Sequence, residues 1–218
     1  MTEQEIRLLL QAKLADSPSG QGAAFVSELF IACFARRADL VMANGKLAAF
    51  EIKSERDSLE RLEGQLDTYL RLFEQVTVVC AKRHVQGVKA LVKDGVGIWQ
   101  LTEKGTFKVV RKGTSLPKKS RPSWLSFLPV AELRTLMVEH GLVQAGTRDV
   151  LERRADQIAV SAIRAHVLAY FKTRRESAIA RRQSMRLPRL RTDARLPLPF
   201  PAVADSAHQI KAIPRSLD

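Results

Sequence analysis

Two short apolar runs, Ala38–Ala43 and Leu47–Lys53, flank Asn44-Gly45 and constrain the fold more than any other part of this 218-residue chain. Asn-Gly between apolar stretches is a strong hairpin signal, because both residues tolerate the left-handed backbone of a tight turn. Leu40, Met42, Ala48, Phe50 and Ile52 fall on one face of the hairpin, and Val41, Leu47 and Ala49 on the other. A sheet apolar on both faces must be covered on both, which places this hairpin at the centre of an α/β domain. Asp39, Glu51 and Lys53 sit in the same covered strands, where an unpaired charge is costly. Loop length decides whether they meet. A two-residue turn pairs Ala43 with Lys46 and points Glu51 away from the face of Asp39. A three-residue loop, Ala43-Asn44-Gly45 with Gly45 left-handed, puts Asp39, Glu51 and Lys53 on one face. The three-residue form is the one expected.

The flanking elements follow from periodicity and turn residues. Thr2 and Glu5 form a capping box for a helix to about Leu14, and Asp16–Gly20 breaks the chain. Phe25 to Phe34 is almost wholly apolar, and its pattern leaves strand and helix open. Ser58–Phe73 predicts a helix buried along Leu59, Leu62, Leu66, Leu70 and Phe73, with Gln65 and Tyr69 four apart on one face. A strand over Val76–Ala81, a short helix over Val85–Lys93, and strands over Val96–Leu101 and Thr106–Val110 complete an α/β unit over residues 1–112. Residues 113–123 read as a linker and 124–185 as a helical basic region. There Val130–His140 is stopped by Gly141, and a long helix runs from Arg148 to Arg182 with Leu151, Ala155, Ile158, Ala162, Val167 and Tyr170 as its apolar stripe. Residues 186–218 are rich in proline and arginine and are expected to be disordered.

The net charge of +13 is concentrated in the back of the chain. Residues 1–110 hold 15 Lys/Arg against 14 Asp/Glu, while residues 111–218 hold 21 against 9. Such a segment attracts polyanions, nucleic acid first among them, with acidic lipid or an acidic protein surface as the alternatives. Arg174, Arg175, Arg181 and Arg182 lead an arginine run suited to neutralising phosphates without reading sequence. Cys33 and Cys80 both lie in apolar runs, as buried thiols of a reducing compartment do, and two cysteines without a histidine pattern exclude a zinc finger. The acidic N-terminus lacks the basic start of a signal peptide, and no apolar run approaches the roughly 20 residues that span a bilayer. A cytoplasmic protein with no membrane partner is expected.

Asp39 and Glu51, with the Ile52 carbonyl, have the donor chemistry for Mg²⁺ or Mn²⁺. Lys53 shares the face of Glu51 and is suited to orienting a water, neutralising developing charge or acting as a base. Taken together, Arg37-Ala38-Asp39-Leu40-Val41, Phe50-Glu51-Ile52-Lys53-Ser54 and the Leu59–Tyr69 helix resemble the PD-(D/E)XK nuclease superfamily over roughly residues 24–111. The resemblance implies a restriction-endonuclease-like three-layer α/β/α core with a mixed central sheet. It also implies a metal-dependent deoxyribonuclease of repair or phage and mobile-element defence. Asp39, Glu51 and Lys53 match its catalytic trio, and Gln65 and Tyr69 match a supporting helix motif. Glu28 matches an additional acidic residue, or else is a helix-surface glutamate. Arg36 and Arg37 would hold phosphate, or else pair with Glu55 or Asp57. Residues 129–155 are similar to a SAP helix–loop–helix, the alternative being a helical pair packed on the core. The rival expectation is a noncatalytic nucleic-acid-binding or adaptor protein. The partner expected is DNA, with RNA and a homodimer left open.

Overall fold

Six strands form one sheet in chain order. The structure is a computed structural model and describes residues 1–31 and 35–186, with side chains as far as Arg174. The elements are α1 (Glu3–Ala15), β1 (Ala24–Ile31), β2 (Arg36–Ala43), β3 (Leu47–Lys53), α2 (Leu62–Leu72), β4 (Gln75–Ala81), α3 (Val85–Leu91), β5 (Gly97–Leu101) and β6 (Phe107–Arg111). The helices α4 (Arg121–Leu125), α5 (Val130–Glu139), α6 (Arg148–Arg154) and α7 (Val160–Arg186) follow. β1, β2 and β3 are antiparallel neighbours; β3, β4 and β5 run parallel through the α2 and α3 crossovers; β6 returns antiparallel. A mixed α/β architecture, as the hairpin demanded, is therefore present. The apolar stretch from Phe25 resolves as β1, and its end at 32–34, with Cys33, lies outside the described residues.

The two sheet faces bury the residues that alternation assigned to them. On one face α1 lays Ile6, Leu10 and Leu14 against Leu40, Met42, Ala48, Phe50 and Ile52. Thr2 and Glu5 cap α1 reciprocally, satisfying amides its first turn leaves free. On the other face Val41, Leu47 and Ala49 share a core with Leu62, Leu66 and Phe73 of the α2 segment. Leu133, Leu136 and Met137 of α5, Leu151 of α6, and Ile163, Val167 and Phe171 of α7 belong to that same core.

Three features differ from the sequence expectation. The hairpin loop has three residues, but they are Asn44-Gly45-Lys46, because Ala43 pairs with Leu47. The Asn44 side-chain amide donates to the Ser19 and Gln21 carbonyls, which draws Asn44 out of the strand, and Gly45 takes φ 67°. The expected helix from Arg148 to Arg182 is two helices. α6 passes through a single 3₁₀ turn to Ile158, which turns extended with its side chain buried and its carbonyl accepting from Arg121. Finally, residues 113–120 are pinned to the sheet domain: the Leu116 amide donates to the Glu74 carbonyl, and buried Lys119 donates to the Leu70 carbonyl (2.5 Å) near the C-terminus of α2.

Candidate functional site

Asp39, Glu51, Lys53, Gln65 and Tyr69 meet beneath α2. The β2–β3 register, continued beyond Leu40 and Phe50, sets Asp39 opposite Glu51, and Lys53 follows two residues on along the same face. Tyr69 and Gln65 descend from α2 onto that face, one turn apart. Glu51, Lys53, Gln65 and Tyr69 satisfy one another, and Asp39 is held by a backbone amide. Tyr69 Oη donates to Glu51 Oε2 (2.6 Å) and lies 3.1 Å from the Arg37 carbonyl. Lys53 Nζ pairs with Glu51 Oε1 at 3.0 Å and donates to Gln65 Oε1 at 3.0 Å. The Ile52 amide donates to Asp39 Oδ2 (2.8 Å). Burial is nearly complete, with Glu51 1% and Asp39 and Lys53 each 7% exposed.

That burial sets the electrostatics. Loss of solvent raises the Asp39 carboxyl to about 7, reinforced by the Glu51 carboxylate and opposed by the Ile52 amide and Lys53. The Tyr69 hydroxyl is held well above its usual range, first by burial and then by the Glu51 and Asp39 carboxylates. Beyond Lys53, Ser54 donates through both its amide and its hydroxyl to Asp57 Oδ2, and buried His84 contacts the Ser54 carbonyl at 3.0 Å. The loop leaving the site is thereby fixed.

The remaining predicted residues stand apart from this cluster. Glu28 lies on β1, not on a helix, and at φ 54° it drops out of the ladder opposite Asp39. Its carboxylate pairs with Arg7 of α1 (3.1 Å) and Arg37 (3.7 Å). Arg37 therefore pairs with Glu28; Asp57 is taken by Ser54, and Glu55 pairs with Arg83 at 3.9 Å. Arg36 is exposed, and its guanidinium lies 3.2 Å from where a side chain on Gly64 would begin, over the first turn of α2. Arg174 is exposed; the side chains of Arg175, Arg181 and Arg182 lie outside the described residues.

Mg²⁺ fits this donor set poorly. Glu51 Oε1 is paired with Lys53 and Oε2 with Tyr69, and Asp39 Oδ2 holds the Ile52 amide. Among the described residues, no group of three His, Cys, Asp or Glu is placed to hold a metal ion. A cation at Asp39 and Glu51 would share the Glu51 oxygens with the Lys53 ammonium and the Tyr69 hydroxyl.

The basic back half contains a distinction that residue counting missed. Arg148 donates to the Leu125 and Leu128 carbonyls and pairs with Glu152. Arg154 donates to Val143 and Ala145, and Arg111 to Val96 and Lys93. Arg164 joins Glu74 and the Gly45 carbonyl while lying 5.9 Å above the Trp124 ring. These cations stitch helices and loops together. Apart from the i,i+4 pair Arg148–Glu152, local spacing does not mark them, and their partners lie up to 119 residues away in sequence. Arg148 and Arg154, within the SAP-like segment 129–155, belong to this structural set.

A search of curated proteins finds Protein cII of Enterobacteria phage P4, 35% identical over 179 residues, which are 80% of this chain and 68% of that protein. No solved structure matches. The family model described as bacteriophage P4 protein cII matches residues 1–189, running through the sheet and all of the helices as one unit. These matches overturn the assignment to the PD-(D/E)XK nucleases and, with it, the expected metal-dependent deoxyribonuclease activity. The short motifs behind that assignment mark a buried Glu51–Lys53 pair bonded to Tyr69 and Gln65, and the chain belongs to the phage P4 cII protein family.

Proposed function

We propose that this chain is a noncatalytic, regulatory DNA-binding protein that acts by occupying nucleic acid or bringing a partner to it. The supporting observation is the division of its charge. The Glu51 and Lys53 charges beneath α2 are consumed internally, whereas the excess of cations accumulates toward the end of α7. Arg174 and Arg181, like Arg175 and Arg182, are seven apart, two turns of a helix that runs to Arg186. Repetition at that interval suits contact with a phosphate backbone rather than with base edges. A protein that holds DNA without breaking it influences other molecules at that site, which is the sense in which it is regulatory.

The polar cluster under α2 then serves to fix β2, β3 and α2 relative to one another and has no need of Mg²⁺. Fluorescence anisotropy on a labelled duplex, repeated across salt concentrations, tests the proposal. Contact with about five phosphates predicts a slope of log K against log[salt] on the order of −4.5. Binding that is absent at low salt, or insensitive to salt, would remove its basis. A single-stranded RNA competitor in the same assay tells whether DNA is the preferred polyanion.

A further inference from the structure

The strand order ends at β6, and among the described residues no further strand pairs with its outer edge. The Thr102 amide donates to the Thr106 carbonyl (2.8 Å), so the alternation of an antiparallel ladder turns the backbone groups of Phe107 and Val109 away from β5. Such a row of free donors and acceptors is a template for another strand. The side chains of the same two residues share a face with Leu101 and Trp99, their β5 partners. α1 covers that face over β2 and β3 but leaves Trp99 and Phe107 half-buried and Val109 45% exposed. Leu9 of α1, itself 39% exposed, borders this apolar patch, 3.5 Å from where a side chain on Gly105 would begin. The edge is also basic. Residues 104–112 hold Lys104, Lys108, Arg111 and Lys112 and no Asp or Glu. Arg111 is engaged by the Val96 and Lys93 carbonyls, whereas the three lysines are exposed and, among the described residues, in no ion pair.

We propose that the β6 edge takes up an extended segment of another protein, with alternating apolar and acidic residues, as an added strand of the sheet. On the reading that this chain brings a partner to nucleic acid, the segment belongs to that partner. Successive side chains of an added strand point to opposite faces. Every second one lies over Trp99, Phe107 and Val109, and those between meet Lys108, which is paired with Gln100 on the other face. Charge complementarity selects the occupant. A second copy docked edge to edge would set Lys108 and Lys112 against the same lysines. Residues 187–218 of the chain itself hold five Lys/Arg against three Asp/Glu and carry the wrong sign. A nucleic-acid backbone has the right sign, but its phosphates only accept hydrogen bonds. The outward carbonyls and the apolar side chains of Phe107 and Val109 would then go unanswered.

The probe is a fluorescein-labelled peptide of about ten residues alternating valine and glutamate, titrated with the full-length protein in the absence of DNA and read by anisotropy. It should bind with a Kd on the order of 10–100 μM. A peptide of the same composition with its glutamates gathered at one end should bind at least ~10-fold more weakly. Amide hydrogen exchange over Phe107–Arg111 should slow in the complex. Lys108→Gln combined with Lys112→Gln, and separately Val109→Lys, should each weaken peptide binding about 10-fold. These side chains are exposed, so thermal melts should match wild type. Duplex affinity of the lysine variant should stay within about 3-fold at 0.15 M salt. Equal binding of the two peptides, no binding at millimolar peptide, or a lysine variant that binds as tightly as wild type overturns the proposal. So does a loss of duplex affinity beyond that range in the lysine variant, because β6 then belongs to a nucleic-acid surface. Wild-type protein that binds the alternating peptide but no duplex supports the docking edge and removes only the DNA-binding reading.

Discussion

The charges under α2 and the charges along α7 have opposite fates. Asp39, Glu51 and Lys53 are withdrawn from water; Glu51 and Lys53 are matched to each other, to Tyr69 and to Gln65, and Asp39 to the Ile52 amide. Arg174 is exposed, and it begins a run in which arginine far outnumbers acid. A buried charge must be answered within the fold, so removing the partner that answers it is felt as instability. An exposed excess of charge costs the fold little and remains available to a polyanion. Charged side chains therefore carry stability in one region and, on the function proposed, affinity in the other.

Lys53→Met should produce the largest effect, because it strands the Glu51 carboxylate in a site that is 1% exposed. We expect a loss of about 3–5 kcal/mol in denaturant melts, with DNA affinity per folded molecule unchanged. Replacing Arg174, Arg175, Arg181 and Arg182 together by alanine should do the reverse. Duplex affinity should fall about 100-fold, with stability within about 1 kcal/mol of wild type. The salt slope should become shallower by roughly one for each phosphate no longer neutralised. If the two variants failed in the same assay, the division between the regions would collapse.

Asp39 gives a pH-dependent form of the comparison. Its folded pKa of about 7 lies above the ordinary 3.8, so the folded state binds the extra proton between those values. Stability from this group is therefore greatest at acid pH, declines as pH rises through that window, and is lowest above 7. Asp39→Asn keeps an acceptor for the Ile52 amide and removes the buried charge. It should stabilise the protein by on the order of 2–4 kcal/mol at pH 8, and the gain should shrink toward zero as pH falls to 4. A smaller effect, about 1–3 kcal/mol of destabilisation, is expected for Tyr69→Phe, which deprives Glu51 of its hydroxyl donor.

The sheet was readable because its signals are local. Asn44-Gly45, the alternation from Leu40 to Ile52 and the helix stripe before Tyr69 each specify geometry over a few residues, and both faces hold the side chains so assigned. Placing the loop one residue early came from Asn44, whose side-chain partners, Ser19 and Gln21, lie more than 20 residues upstream. The break at Ile158 and the anchoring of Lys119 escaped for the same reason, since each answers a distant element. The trio was read through a nuclease resemblance that the family match overturns. Carboxylates beside a lysine in a covered strand fit a metal centre or a closed ion pair equally well by spacing. Only the Tyr69 and Lys53 contacts on both Glu51 oxygens, together with the family match over residues 1–189, separate the two.

The most direct measurement follows one labelled duplex through binding and then through a denaturing gel, in Mg²⁺, Mn²⁺ or EDTA. Salt-sensitive binding in all three conditions, with the DNA recovered intact, is the predicted result. Cleavage that requires Mg²⁺ or Mn²⁺ and disappears in Glu51→Gln would contradict it, because the cluster under α2 would then be a catalytic centre.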